Sequence, residues 1–375
     1  MRPVSITAAA DYQVIDYSRL EHTLFAPASV RPLHALIVGA GALGNEVVKA
    51  LGLIGLGAVT IVDPDFVEPS NLTRSILLRN ALPGAAKAPA LAAAAAALFP
   101  DTRFSALVAE IAEVGFGLVS SAHLIFGCVD SDLARLELAY ISTRLDRPVC
   151  DAGLGAAGFS HGRVSYLPGR AAACYGCTLS RRKRAELLTF WDATVRPCAT
   201  PPGAPPNTAA PTISALTGAL QADTGLRLFL EHASAASTLE LTLDSPPRLH
   251  SFRLPLSPAC PFHAPPPYTL LSAGDRGRSV RQFLSDSGAA PGASLLLDWP
   301  LCVDARCRAC SHRWAPFLRL AKFRRYGLCP SCSSRDILEL ATIRAIAPAS
   351  RWSDLSLLDL GVPEQHLLTV RGLES

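Results

Sequence analysis

Residues 34–44 read HALIVGAGALG, an apolar run that ends in a glycine-rich segment. The run His34–Val38 predicts a buried β-strand, and the residues after the glycines predict a helix. Gly39, Gly41 and Gly44 allow a tight turn, and they let backbone N–H groups approach a phosphate at the helix N-terminus. The segment therefore predicts a nucleotide site.

A carboxylate stands at the end of the next apolar strand. This strand is predicted over Ala58–Asp63, and Asp63 follows Gly44 by 19 residues. At this position a carboxylate can accept hydrogen bonds from ribose hydroxyls. Taken by themselves, the glycines and Asp63 favour a nicotinamide dehydrogenase, so the residues that follow have to decide.

Further along the chain, apolar strands alternate with helical patterns. This spacing predicts an α/β fold with a doubly wound, Rossmann-like, mostly parallel sheet. Late antiparallel strands are expected after residue 153, where the alternation ends. The predicted strands are 103–108, 122–127, 147–151, 158–167, 238–243 and 250–254, and the predicted helices are 85–99, 131–144 and 212–231.

Three regions are expected along the chain. Residues 1–270, which begin with a polar segment over 1–32, form the nucleotide-binding domain. Residues 271–300 form a linker rich in Pro, Gly and Ser, within a loop over 264–296. Residues 301–375 form a small C-terminal domain that carries four cysteines.

The run after the second strand carries a family resemblance. Residues 63–74 read DPDFVEPSNLTR and resemble the DxDxVxxSNLxRQ signature of the ThiF/MoeB superfamily, whose members are similar to ubiquitin-activating enzymes. Lys87 and Asp130 follow where this superfamily keeps its phosphate lysine and its metal-associated aspartate. Tyr17-Ser18-Arg19 resembles the family's YxRQ segment. The chain departs from the family at Leu20 and Ser75, where the family has glutamine.

The resemblance implies ATP-dependent adenylation with Mg²⁺. Arg74 and Lys87 would neutralise the β- and γ-phosphates, and Asn71 would hydrogen-bond them. Asp130 would hold Mg²⁺, Asp63 would bind the ribose, and Asp65 would line the nucleotide site. Arg19 would reach across a homodimer into the partner's site. The structural alternatives are that Arg74 caps a helix and that Lys87 and Arg19 are ordinary surface cations.

Two sets of residues have the spacing of zinc ligands. Cys307-x2-Cys310 and Cys329-x2-Cys332 predict a zinc ribbon from spacing alone, because a gap of two residues lets both thiolates face one ion. The other set, Cys174, Cys177, Cys260 and His263, resembles the zinc site of the family, with histidine as the fourth ligand. The alternative for His263 is a surface histidine.

The stretch between the two cysteine pairs of the ribbon is basic and aromatic. It can dock an acidic protein surface or nucleic acid. Alternatively, its aromatic rings fill the small core of the ribbon, and its arginines are simply solvated. The residues are Arg313, Trp314, Arg319, Lys322, Phe323, Arg324, Arg325 and Tyr326.

One unpaired cysteine stands in an irregular segment, 178–210. Cys198 is a candidate catalytic thiol, since Arg196 nearby favours its thiolate; an inert loop cysteine is the alternative. The basic run Arg181–Arg184 can steer an acidic partner or be a solvated patch. Cys128 and Cys150 belong to apolar strands and are expected to be buried.

Composition sets limits on the partners. The net charge of +4 is too small to argue for nucleic acid, and no segment reads as membrane-spanning. Because the N-terminus lacks a signal pattern, a cytoplasmic protein is expected.

The expected function is activation of the C-terminal carboxylate of a ubiquitin-like or sulfur-carrier protein, with transfer to a cysteine or to a conjugating enzyme as further steps. The rivals are a nucleotide-binding scaffold without turnover and an adenylase that acts on a small molecule or on tRNA.

Overall fold

The computed structural model describes residues 4–6, 15–155, 160–193, 210–263, 269–290 and 292–372. As far as it describes them, residues 1–114, 119–180 and 203–263 form one compact unit, and residues 115–118, 181–202 and 264–375 form a second. The α-helices are α1 (Pro27–Val30), α2 (Ala42–Ile54), α3 (Lys87–Leu98), α4 (Phe116–Ser121), α5 (Asp132–Leu145), α6 (Tyr175–Thr178), α7 (Arg181–Ala193), α8 (Pro211–Leu230), α9 (Val280–Asp286) and α10 (Leu320–Tyr326).

A nine-stranded sheet is the centre of the first unit. Its order is β1-β4-β3-β2-β5-β6-β7-β8-β9. The five strands from β4 to β6 are parallel, β1 is antiparallel at one edge, and β7 to β9 are antiparallel at the other. The strands are β1 (Val4–Ile6), β2 (His34–Val38), β3 (Ala58–Val62), β4 (Arg103–Leu107), β5 (Leu124–Gly127), β6 (Val149–Leu154), β7 (His161–Leu167), β8 (Ser237–Thr242) and β9 (Arg248–Arg253).

This topology confirms the predicted mostly parallel sheet with late antiparallel strands. The chain winds from β2 to β4 in one direction and then crosses to β5 on the other side of β2. In sheets of this kind, ligands bind outside the carboxyl ends of the strands at that reversal point. The glycines follow β2, and Asp130 follows β5, so both candidate segments leave the sheet there.

One polar side chain of α8 holds two of these strands. Gln221 is fully buried, and its Nε2 donates to the carbonyl oxygens of Gly127 (2.9 Å) and Cys150 (2.8 Å). A buried amide of this kind is stable because its polar atoms are paired. Cys128 and Cys150 are themselves buried, as the sequence predicted, and burial raises the pKa of both thiols.

The second unit contains a six-stranded sheet. Strand β11 is long and pairs with four neighbours: β12, β13, β14 and β15. One apolar core includes Phe283, Leu295 and Leu357, and a smaller core surrounds Phe323. The strands are β10 (Thr269–Ser272), β11 (Ser294–Cys307), β12 (Arg313–Trp314), β13 (Leu318–Arg319), β14 (Ile337–Ile346) and β15 (Leu367–Arg371).

Two local predictions were wrong. The segment 178–210, which was expected to be irregular, contains the 13-residue helix α7 among its described residues. The expected loop 264–296 contains β10 and α9 among its described residues. Helix α9 is short but has a capping box between Ser279 and Gln282, and Val280, Phe283 and Leu284 bury its inner face.

The division into residues 1–270, 271–300 and 301–375 stays a prediction. Within the described residues, no helix is long and apolar enough to cross a membrane.

Candidate nucleotide and metal sites

The glycine turn is tightly packed at two of its three glycines. Gly39 has a φ of +105°, and a Cβ on it would lie 2.4 Å from the carbonyl oxygen of Cys128. A Cβ on Gly44 would lie 1.9 Å from the carbonyl oxygen of Gly39. Gly41, the N-cap of α2, has open space around the position of a Cβ. Gly39 and Gly44 are therefore needed for the fold of the turn, whereas Gly41 borders the space in which a ligand can approach the backbone.

This difference gives a matched pair of variants. Gly44→Ala is expected to lower the unfolding midpoint, because its methyl group overlaps a backbone carbonyl that cannot move freely. Gly41→Ala is expected to leave the midpoint unchanged and to weaken ATP binding, because its methyl group occupies the space above the turn. Thermal unfolding and ATP titration of both variants check this. Unchanged ATP affinity in a folded Gly41→Ala protein would exclude the glycine turn as the nucleotide site.

Asp63 organises the same turn. Its Oδ2 accepts from the backbone N–H of Ala40 (2.6 Å), and its Oδ1 accepts from that of Asp65 (2.7 Å). Burial raises the pKa of Asp63, and these two hydrogen bonds oppose the increase. Each carboxylate oxygen can accept a second hydrogen bond. Ribose binding by Asp63 stays a prediction, to which the structure adds a role in shaping the turn.

Lys87 and Asp65 form an ion pair. The Nζ of Lys87 lies 3.1 Å from the Oδ2 of Asp65, and the backbone N–H of Lys87 donates to the carbonyl oxygen of Asp65 (2.9 Å). The Lys87 side chain is 14% exposed, whereas that of Asp65 is 66% exposed. Lys87 is therefore held largely out of solvent at the start of α3, which does not fit an ordinary surface lysine.

Asn71 lies in a short 3-10 helix, Pro69–Thr73, and Arg74 is the residue that caps its carboxyl end. The Oδ1 of Asn71 accepts from the backbone N–H of Glu68 (3.0 Å), so this side chain begins the helix. The backbone N–H of Arg74 donates to the carbonyl oxygen of Asn71 and ends it. Among the described residues, no hydrogen bond or ion pair engages the Arg74 guanidinium. Arg74 thus occupies a cap position through its backbone, while its charge is available to a ligand.

Asp130 is exposed between β5 and α5. No hydrogen bond or ion pair within the described part of the chain engages its carboxylate. The backbone N–H of Cys128 donates to the carbonyl oxygen of Val38 (2.8 Å), which keeps this segment against the glycine turn. An exposed carboxylate oxygen suits Mg²⁺, which prefers oxygen ligands, and the metal role of Asp130 stays a prediction.

The sequence did not single out Arg135 and Asp151. Arg135 donates through Nη2 to the carbonyl oxygens of Val129 (2.6 Å) and Ala152 (3.1 Å), and through Nε to Asp151 (3.2 Å). Asp151 is buried, and its Oδ1 has no hydrogen-bond partner among the described residues. This pair lies beneath the segment that carries Asp130.

The buried carboxyl predicts a pH dependence of stability. Burial raises the pKa of Asp151 from 3.8 to about 6, although Arg135 and Arg163 oppose the increase. The folded protein therefore holds this proton more tightly than the unfolded chain does. The resulting stabilisation is present below pH 4 and is lost as the pH rises through 6, with an upper limit of about 3 kcal/mol.

Denaturant unfolding of the wild type and of Asp151→Asn at pH 4, 5, 6 and 7 isolates this contribution. The free energy of unfolding of the wild type, relative to the variant, is expected to fall across this range. If the free energy of unfolding of the wild type rose with pH relative to the variant, the attraction between Asp151 and Arg135 would outweigh the cost of burying the charge of Asp151.

Arg19 lies far from the glycine turn of its own chain. A Cβ on Gly55 would lie 2.8 Å from Cζ of Tyr17, so the segment packs where α2 ends. The turn lies at the other end of this 13-residue helix, about 20 Å away. Arg19 is exposed in a 3-10 helix, Ser18–Leu20. Its predicted role therefore requires a second copy of the chain.

The first metal set comes together in the structure. The four ligand atoms of Cys174, Cys177, Cys260 and His263 lie within 4.8 Å of one another. The Sγ of Cys174 lies 3.7 Å from that of Cys260, and the Nε2 of His263 lies 3.2 Å from the sulfurs of Cys174 and Cys177. Zn–S bonds of 2.3 Å in a tetrahedron require S···S distances of about 3.8 Å.

The remaining nitrogen of His263 supports this assignment. Because the carbonyl oxygen of Arg170 can only accept, Nδ1 of His263 donates to it (2.8 Å) and Nε2 is left unprotonated for a metal. Histidine ligands of metals are oriented in this way. His263 is therefore not an ordinary surface histidine, and the set fits zinc.

The second set also fits a tetrahedral zinc ion. Cys307, Cys310, Cys329 and Cys332 have all four sulfurs within 4.8 Å of one another. Both cysteine pairs have the same backbone form: the N–H of Ser311 donates to the carbonyl oxygen of Cys307, and that of Ser333 donates to that of Cys329. This repeated turn is the one that the paired spacing predicted.

The basic and aromatic stretch of the ribbon is partly committed to the fold. Trp314 and Phe323 pack edge to face with ring centroids 6.1 Å apart, and they contribute to the smaller core. Arg313 pairs with Asp304, and Arg324 pairs with Glu339. Packing and ion pairing thus account for these four residues, and a docking role for the others stays a prediction. Cys198 and Arg196 lie outside the described residues.

Comparisons with known proteins identify the family of the chain. The sequence model of the ThiF family matches residues 27–261. A human protein, ubiquitin-like modifier-activating enzyme 7, is 37% identical over 134 residues, which cover 33% of this chain and 13% of that protein. The adenylyltransferase and sulfurtransferase uba4 of Aspergillus niger is 29% identical over 232 residues, which cover 60% of this chain and 43% of that protein.

The chain thus spans less than half the length of these curated relatives. Among solved structures, that of E. coli MccB with ATP is similar over 64% of this chain and 68% of that chain, with a TM-score of 0.47 and 16% identity. The family match covers more than half of the chain and includes every predicted residue of the nucleotide site except Arg19. The resemblance first read from residues 63–74 is confirmed, and the chain belongs to the ThiF family.

Proposed function

We propose that this protein uses ATP to adenylate the C-terminal carboxylate of a ubiquitin-like or sulfur-carrier protein. The observation that supports this proposal best is that the candidate segments leave the sheet at the point where its winding direction reverses. A glycine turn shaped by Asp63, a sheltered Lys87, an unengaged Arg74 and an exposed Asp130 all follow the carboxyl ends of adjacent strands. The names of the relatives, activating enzymes and adenylyltransferases, support the same reaction.

The chemistry explains why these residue types are needed. A carboxylate oxygen attacks the α-phosphorus of ATP, forming a new P–O bond, while the bond to the bridging oxygen breaks and pyrophosphate leaves with the electron pair. Negative charge accumulates on the leaving group, so fixed cations accelerate the step. Arg74 and Lys87 supply them. Mg²⁺, which Asp130 would hold, would further neutralise the phosphates.

The pair of Lys87 and Asp65 adds a feature specific to this arrangement. Lys87 is already oriented by Asp65 before a nucleotide binds, so little side-chain entropy is lost on binding. The Asp65 carboxylate competes with the phosphates for the charge of Lys87. Because Asp65 is largely exposed, water screens this competition. The pair therefore positions the lysine without cancelling its charge.

Exchange of labelled pyrophosphate into ATP tests the proposal. Exchange that depends on a small glycine-terminated carrier protein supports it. Exchange with no added protein favours an adenylase for a small molecule, and no exchange with any carrier or RNA favours a scaffold without turnover. As a matched pair, Lys87→Met should abolish exchange, whereas Lys49→Met, on α2 and paired with Glu46, should not.

We further propose a homodimer in which Arg19 acts on the partner's nucleotide. Arg19→Ala and Asp130→Asn should each be inactive alone. Mixed dimers should regain activity, because one of their two sites combines an intact Asp130 with an intact Arg19 from the other chain. Exchange by an equimolar mixture, after dissociation and reassociation, checks this. A mixture as inactive as its components would exclude action across a dimer. A later transfer to Cys198 or to a conjugating enzyme, and a cytoplasmic location, remain parts of the proposal.

A further inference from the structure

The first metal site contacts α5 at both of its ends and along its length. At the carboxyl end, Arg170 donates to the carbonyl oxygens of Thr143 and Arg144 (both 2.8 Å), and its own carbonyl accepts from His263. Along the helix, the ring of Phe262 packs edge to face on Tyr140, with centroids 6.2 Å apart.

The contact at the amino end comes from a residue between two cysteine ligands. Tyr175 stands between Cys174 and Cys177, and its hydroxyl donates to Oδ1 of Asp132 (2.7 Å). Asp132 is the first residue of α5 and lies two positions after Asp130. Tyr175 is itself buried, at 6% exposure, so its hydroxyl lies within the fold beside the cysteine ligands.

Asp130 is therefore held on both sides while its own carboxylate stays available. Before it, the carbonyl of Val129 is fixed by Arg135, which is anchored on Asp151. After it, Ser131 caps the helix by accepting from the backbone N–H of Ala134 (3.2 Å), and Asp132 is fixed by Tyr175. An exposed residue in a loop would otherwise sample many orientations at an entropic cost to ligand binding.

We propose that Tyr175 is a positioning residue for Asp130, so that the first zinc site determines how the nucleotide-bound divalent cation is held. This inference rests on the proposed function for its reaction. The zinc site does not touch the reacting atoms. It acts through the hydrogen bond that the Tyr175 hydroxyl donates to Asp132. On the other side of Asp130, the hydrogen bond from Arg135 to the carbonyl oxygen of Val129 holds the chain.

The test uses Tyr175→Phe, which keeps the ring and removes only the hydroxyl. Two readouts are measured on the full chain: Mn²⁺ binding in the presence of a non-hydrolysable ATP analogue, by electron paramagnetic resonance, and the Mg²⁺ concentration for half-maximal pyrophosphate exchange. The dissociation constant of Mn²⁺ and the Mg²⁺ concentration for half-maximal exchange are both expected to rise by about 5- to 10-fold, the effect of one hydrogen bond. Zinc content and the unfolding midpoint should be unchanged, and high Mg²⁺ should restore exchange.

Three further variants sharpen the result. Asp132→Asn keeps an acceptor oxygen and should behave like the wild type. Asp132→Ala should match Tyr175→Phe, and the double variant should be no worse than either single one. Tyr166→Phe, in which a buried tyrosine of β7 in the same unit loses its hydroxyl, is the control.

Unchanged Mn²⁺ affinity in a folded, zinc-loaded Tyr175→Phe protein would overturn the inference. So would a loss of zinc from that variant, because the hydroxyl would then serve the metal site instead. A wild-type protein that binds Mn²⁺ with the analogue but shows no exchange would refute the proposed reaction and leave this inference open to the binding measurement alone.

Discussion

Asp130→Asn is expected to lower pyrophosphate exchange by about 100- to 1,000-fold, the loss that follows removal of one group that stabilises charge in a transition state. The substitution keeps the size of the side chain and removes its charge. Stability should change by no more than about 0.5 kcal/mol, because Asp130 is exposed and engages no partner among the described residues. Initial rates of exchange and thermal unfolding of the purified variant check both parts.

The matched control is Asp223→Asn. Asp223 lies on α8 and pairs with Arg227 one turn away, with both side chains well exposed. Its loss should leave exchange intact, since exposed pairs of this kind contribute little. Full activity of Asp130→Asn would remove this residue from the reaction, whereas equal losses in both variants would point to a general effect of charge.

Replacing Cys174 and Cys260 together by alanine is expected to remove one of two zinc ions per chain and to lower the unfolding midpoint by at least about 10 °C. Structural zinc contributes on the order of 10 kcal/mol to the folding of small zinc domains, and a nucleotide-binding domain of this size loses about 2–4 °C per kcal/mol. Elemental analysis and calorimetry measure the two effects.

A double variant of Cys128 and Cys150 provides the comparison. Both are buried cysteines of the same unit and belong to neither metal set. Their replacement by alanine should cost only about 1 kcal/mol for each thiol and leave two zinc ions in place. If the variant of the metal set keeps both ions and its stability, the four ligand atoms do not form a zinc site.

Local patterns sufficed for much of the fold. The glycine turn and Asp63 can be read from the sequence because each stands at a strand end, and those boundaries follow from the apolar pattern. Lys87, Arg74 and Asp130 were named through the family resemblance instead. The ribbon cysteines were equally clear, since their spacing encodes the geometry of the site. The pairing of Lys87 with Asp65 was not visible, because it depends on how two loops approach each other.

Arg135, Asp151 and Tyr175 could not be found in this way. Their functions depend on contacts between segments that are distant in sequence: the start of α5, strand β6 and the turn that holds Cys174. A cue existed for Arg135, because a cation in the first turn of a helix opposes the helix dipole and calls for a compensating partner. Nothing in the local pattern identified Asp151 as that partner.

The ligands of the first metal site come from two parts of the chain that are distant in sequence, which affects how the protein would respond to proteolysis. Cys174 and Cys260 are 86 residues apart, and the loop that the ion would close contains α7, α8, β8 and β9. A protease that cuts within this loop would leave two fragments that the ion still ties together. The pairing of β7 with β8 would also hold a protein cut between α7 and α8 together, so a chelator would lower the unfolding midpoint of the nicked protein more than that of the intact one.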